Sequence, residues 1–166
     1  MSTIAGTSPT TRNSLLRLSV IAGLICGAVN VITYHWFVVG VLGGNPLMIT
    51  YQYIASGALG ESAFAGGLAT AVLGALFHFI FSILIAGIFI LGVDRIPLLR
   101  RHVIIGSLLY GFGVFIVMNM IVTPLSATPP LPTPTMTEII INLIDHMLVS
   151  GLLLGIVVQR NFNTNP

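Results

Sequence analysis

The stretch "AGGLATAVLGALFHFIFSILIAGIFILGV", residues 65–93, carries no acidic residue, no lysine and no arginine. A hydrocarbon core about 30 Å thick is crossed by roughly 20 helical residues, so this run is long enough to span it as a helix. Its apolar residues are continuous and do not alternate, which excludes a strand of a membrane β-barrel. Gly66, Thr70, Gly74, His78, Ser82 and Ala86 recur at every fourth position and therefore share one helix face. Small residues on such a face let a second backbone approach closely, which is how helices associate in lipid. His78 is the one large polar residue of the set, so it is expected to point into a bundle.

Three further runs read the same way: 15–40, 103–122 and 138–158. Only 6% of the chain is charged, against about 25% in an ordinary soluble domain. The expected fold is therefore all-α, a polytopic four-helix transmembrane bundle. It occupies 15–160 as a single domain, between a disordered tail, 1–14, and a short tail, 161–166. The six arginines lie before the first span (Arg12, Arg17), between the second and third (Arg95, Arg100, Arg101) and after the fourth (Arg160). Connections 41–64 and 123–137 have none, so the positive-inside rule places both termini in the cytoplasm. The formal charge of +2 thus describes orientation in a lipid bilayer; the arginines are too few and dispersed to track a nucleic acid. The single cysteine, Cys26, lies within a span, so no intrachain disulfide is possible.

In the first outer connection Asn45 can cap a helix that Pro46 begins and Gly60 closes. Leu47, Met48, Tyr51, Ile54, Ala55, Ala58 and Leu59 share one face of it, while Thr50, Gln52 and Ser56 lie opposite. A short amphipathic helix over 46–59 is expected at the outer mouth of the bundle, as a lid or as an interfacial linker. The second outer connection, "TPLSATPPLPTPT" (123–135), must be extended because proline dominates it. Thr135 and Glu138 have capping-box spacing. The cytoplasmic turn "DRIPLLRRH" (94–102) makes the second and third spans antiparallel neighbours.

Depth singles out the polar residues. His35, Asn119, Asp145 and His146 fall about 6 to 10 Å below the outer surface, with Asn30 and His78 near the midplane. Asn142, Asp145 and His146 are spaced to face inward together, with Ser150 one turn deeper. A carboxylate at such depth costs about 3 kcal/mol on insertion scales, so Asp145 needs partners. Adjacent helix residues point about 100° apart, so these partners are expected across the bundle, at His35, Asn30 or His78. The candidate ligand-binding set is Asp145, His146, His78, His35, Asn30, Asn119 and Asn142. The inner half is almost purely apolar, which suggests a pocket closed below and open outward. The competing reading is interhelical hydrogen bonding, with His35 beside Trp36 in the interfacial aromatic belt. His102, next to Arg100 and Arg101, belongs to the surface. Helix-packing candidates are Gly66, Thr70, Gly74 and Ser82, with Gly23, Gly27, Gly151 and Gly155 in other spans, and Gly106, Tyr110 and Gly113 in the third.

The runs "QYIASGALGESAFAGGLATAVLGALFHF" and "RRHVIIGSLLYGFGVFIVMNMIVTPLSA" resemble a group of small bacterial inner-membrane proteins with four predicted spans and no assigned activity. The most recognisable parts are "IASGALG", "AFAGGLATA", "LFHF" and "VMNMIVTPLSA". The resemblance implies a bacterial cytoplasmic-membrane location and a four-helix fold. It implies no ligand, reaction or catalytic residue.

No phosphate loop, nucleophile elbow, CxxC or HExxH spacing is present. No catalytic residue is assigned, and an ordinary hydrolase or nucleotide-driven pump is not expected. His35, His78, Asp145 and His146 could ligate zinc, copper or haem iron if they converged; no other cofactor is legible. Three classes remain, in this order: a small-ligand or cation binding or transport-accessory protein; a structural or regulatory subunit binding partner helices; a metal- or haem-dependent membrane enzyme. A homo-oligomer or a partner membrane subunit fits the first two, since four spans alone make no conventional transport pathway.

Overall fold

A computed structural model describes residues 12–40, 47–130 and 134–163, without the side chains of 35–40 and 163. The described chain is all-α. Its helices are α1 (Arg12–Gly40), α2 (Leu47–Leu59), α3 (Ser62–Ala65), α4 (Gly67–Arg95) and α5 (Pro97–Arg101). Helix α6 starts at Val103–Val117, widens into a π-helical turn over Met118–Val122 and ends with Thr123–Leu125. Helix α7 runs Met136–Asp145, widens over His146–Leu153 and finishes as Leu154–Asn163. α1, α4, α6 and α7 are long and apolar enough to cross a membrane.

Local chemistry sets the boundaries. Gly60 (φ 61°) and Gly67 (φ 56°) are left-handed, a conformation that favours glycine. The long helix expected from residue 65 therefore begins at Gly67, after the separate turn α3. Pro97 opens α5, where its missing N–H is harmless. At the head of α7 the Thr135 hydroxyl accepts from the Glu138 amide (3.3 Å), and the Glu138 carboxylate accepts from the Thr135 amide (2.7 Å). This is the reciprocal capping box.

The four long helices pack as two antiparallel pairs. In the α1–α4 pair Gly23 lies on the Ile83 backbone and Gly27 against Phe79 and Ser82. In the α6–α7 pair Gly111 faces the His146 carbonyl and Gly151, while Gly155 faces Ser107. Between the pairs contacts are sparser. α4 and α6 were expected to be neighbours, and they do meet, through the Tyr110 hydroxyl donating to the Ile85 carbonyl (2.7 Å). Their closest partners are nevertheless α1 and α7. Phe89 and Tyr110, ring centroids 5.1 Å apart, fill the α4–α6 interface where no glycine lets the backbones close.

Buried Ala22, Phe89, Ile90, Val93, Leu154 and Val158 form a core in the half nearest the arginines. At that end Arg100 of α5 stacks over Phe162 of α7. The other half is built differently, because there α4 turns to α2 instead of α1. Gln52 donates to the Gly67 carbonyl (3.0 Å), and the backbone of Tyr51 sits on Gly74. Gly57 at the other end of α2 accepts from the Ala127 amide of the proline-rich connection (3.0 Å).

The faces of α2 are distributed in a way that changes its reading. Gln52 (2% exposed) and Ser56 (0%) of one face and Ala55 (0%) of the other are all buried, while Leu47, Met48 and Leu59 at the two ends are partly exposed. The buried polar groups find partners inside the protein, Gln52 on the Gly67 carbonyl and Ser56 on the Tyr53 carbonyl (2.6 Å), as buried polar groups must. Helix α2 is a short helix packed along α4, at the arginine-free end where a helix was expected.

Candidate functional site

Where the pairs diverge they enclose a partly open cavity of about 250 Å³. α1 contributes Asn30 and Tyr34, α2 contributes Tyr51 and Tyr53, α4 contributes His78 and Phe81, and α7 contributes Asn142, Asp145, His146 and Ser150. Cys26, Ala86 and Leu154 belong both to the cavity wall and to the apolar core. The core is therefore the cavity floor. Of the expected set, Asp145, His146, His78, Asn30 and Asn142 line this one space.

Asp145 is held from α1. Thr33 Oγ1 donates to Asp145 Oδ1 (2.9 Å), and Asn30 Nδ2 donates to Oδ2. Of the three partners expected across the bundle, Asn30 makes this contact. His78 instead bonds the Gly27 carbonyl through Nε2 (3.0 Å), and the side chain of His35 lies outside the described residues. A carbonyl only accepts, so His78 Nε2 carries the hydrogen and, in the neutral ring, Nδ1 keeps a lone pair. By the same logic His146 donates from Nδ1 to the Asn142 carbonyl (2.8 Å), leaving Nε2 as an acceptor. Its ring also meets Phe115 edge-on.

Asn119 does not reach the cavity wall. It is exposed and accepts from Asn142 (3.2 Å) while donating to the Phe115 carbonyl (2.8 Å), so it backs Asn142 from behind. Both π-helical segments border this contact, one containing Asn119 and the other beginning at His146. Such widened turns are frequent at functional sites.

Tyr34, Tyr51 and Tyr53 add phenol groups to a lining that also holds Thr50, Ser82 and Ser150. The Tyr51 ring lies edge-on to His78 at 6.2 Å. Burial pushes the phenols of Tyr51 and Tyr53 above the ordinary tyrosine range, so both stay protonated donors. Thr33, Tyr51, Tyr53 and Phe81 were not singled out from the sequence as site residues. Thr33 follows Asn30 by three residues and so shares its face, a signal masked because a helical threonine ordinarily bonds back to its own helix.

Among the packing candidates, Gly23, Gly27, Gly74, Gly151 and Gly155 sit at close contacts between helices. Ser82 donates to the His78 carbonyl (2.8 Å) and faces Gly27. Thr70 accepts from Gln52 (3.4 Å) and donates to the Ala63 carbonyl (2.6 Å), joining α2, α3 and α4. Gly66 differs: it is exposed at the break between α3 and α4, and its nearest neighbour is Thr70 of the next turn. The seam thus starts one turn later than its period suggests.

Of the four metal candidates, the side chain of His35 lies outside the described residues. Among the described residues no group of three or more His, Cys, Asp or Glu side chains could hold an ion. His78 and His146 each spend one ring nitrogen on a backbone carbonyl. Comparison with family models, curated proteins and solved structures gives no match.

Proposed function

We propose that this protein binds a small organic cation in the cavity beside Asp145, as a binding or transport-accessory protein of a bacterial cytoplasmic membrane. The cation enters from the arginine-free end, which the positive-inside rule sets outside the cytoplasm. The observation that carries the reading is Asp145 itself. It is an acidic side chain in a cavity wall whose bonded partners, Thr33 and Asn30, are both neutral. A cation supplies the missing charge.

The rest of the lining fits that ligand class. The faces of Tyr34, Tyr51, Tyr53 and Phe81 attract cations, each by about 0.5 to 2 kcal/mol depending on desolvation. An apolar cavity of about 150 Å³ takes up benzene, so 250 Å³ accommodates a single ring bearing an ammonium group. The apolar floor favours an amphiphilic cation over a hydrated metal ion.

The test is equilibrium binding of benzyltrimethylammonium to the protein in lipid nanodiscs. Saturable binding, weakened at least about tenfold (about 1.4 kcal/mol) by Asp145→Asn, is expected. Equal binding by folded wild-type and variant protein would leave Asp145 as an interhelical hydrogen-bonding residue only.

A further inference from the structure

We propose that Asp145 exchanges a proton for the bound cation, so that protonation of its carboxyl group and occupancy of the cavity exclude one another. This deepens the cation-binding reading and rests on it. The observation behind it is the position of Thr33. Its hydroxyl has one hydrogen and three oxygens within reach: Asp145 Oδ1 at 2.9 Å, the Val29 carbonyl at 3.0 Å and the Asn30 carbonyl at 3.2 Å.

With the carboxyl ionised, the Thr33 hydrogen points to Oδ1. With it protonated at Oδ1, the carboxyl donates to Thr33 Oγ1, whose hydrogen turns to one of the two carbonyls. Asn30 donates to Oδ2 in both states. The same heavy-atom positions therefore satisfy every polar group whether or not the proton is present. An asparagine or lysine in place of Thr33 could not serve both ways, since neither offers one rotatable hydrogen together with a lone pair on the same atom.

Charge supplies the drive. The titratable groups in or near the cavity are Cys26 and Tyr34 of α1, Tyr51 and Tyr53 of α2, His78 of α4, and Glu138 and His146 of α7. α6 contributes the neutral Asn119, behind Asn142. No arginine lines the cavity, and the chain has no lysine. An empty cavity with an ionised Asp145 leaves an uncompensated charge at lipid depth, which is costly. Protonation removes that charge, and an arriving cation restores it. In the exchange the carboxyl O–H bond breaks, its electron pair stays on Oδ1, the proton leaves to water and the cation pairs with the carboxylate. One positive charge enters as one leaves, so the step is electroneutral.

Calorimetric titration of benzyltrimethylammonium into the nanodisc-held protein, in two buffers of different ionisation heat, reads the protons released. About one proton per cation is expected at pH below the carboxyl midpoint, with affinity falling about tenfold per pH unit there. Thr33→Ser, which keeps the hydroxyl, should retain the release. Difference infrared spectra should show the stretch of a protonated carboxyl group lost on cation addition, a signal absent in Asp145→Asn. That readout separates the carboxyl from His78 and His146. Binding with no proton release and no carboxyl signal at any pH would overturn the exchange and leave cation binding standing. No binding at any pH would remove both.

Discussion

Gly74 of α4 lies directly beneath the carbonyl oxygen of Tyr51 in α2, so that a methyl group on Gly74 would overlap that oxygen. Backbone cannot step aside as a flexible side chain can. Gly74→Ala is therefore expected to push α2 off α4 and destabilise the protein by about 1 to 3 kcal/mol, the usual range for overpacking. Leu76→Phe, two positions on and 56% exposed, should change stability little. Thermal unfolding of both variants in one detergent checks this; equal midpoints would show that Gly74 is not a contact point.

The α6–α7 pair offers a sharper contrast. A Cβ on Gly111 would press on the His146 carbonyl oxygen and Gly151, whereas one on Gly113 would meet nothing within 4 Å. Gly111→Ala should cost about 1 to 3 kcal/mol. Gly113→Ala should stabilise by about 0.5 to 1 kcal/mol, because alanine is the better helix former. Opposite signs in the same unfolding assay are the expected result, and matching losses would contradict the packing described.

Whether the exposed side of α2 meets lipid or water can be read chemically in intact cells on a Cys26→Ser background. With α2 at lipid depth, Glu61→Cys should react with a membrane-impermeant maleimide added outside, while Met48→Cys, 47% exposed, should react at least tenfold more slowly, since water-excluded thiols form little thiolate. Equal rates would place α2 in water. Labelling of Glu61→Cys only after lysis would reverse the proposed orientation.

The four spans were legible because a membrane helix announces itself by length and apolarity alone. So was the inward cluster of Asn142, Asp145 and His146, since helical spacing fixes a shared face. Two things were hidden for physical reasons. Periodicity separates the polar and apolar faces of α2 but not how each is used; Gln52 and Ser56 of one and Ala55 of the other are all buried, because α2 packs on α4 and against the proline-rich connection. The pairing of helices depends on which small residue meets a backbone on another chain segment. Gly111, whose opposite number is Gly151, stands beside the equally small Gly113, which meets nothing.

Asp145 as an accessible, cation-protected carboxyl group is the centre of the proposed mechanism, and it can be labelled directly. A small apolar carbodiimide such as diisopropylcarbodiimide reacts with protonated carboxyl groups in apolar surroundings, and peptide mass spectrometry locates the adduct. Modification at Asp145, faster at lower pH and slowed at least about tenfold by benzyltrimethylammonium at about ten times its Kd, is the expected result. Failure of Asp145 to react, or a rate indifferent to the cation, would contradict the site.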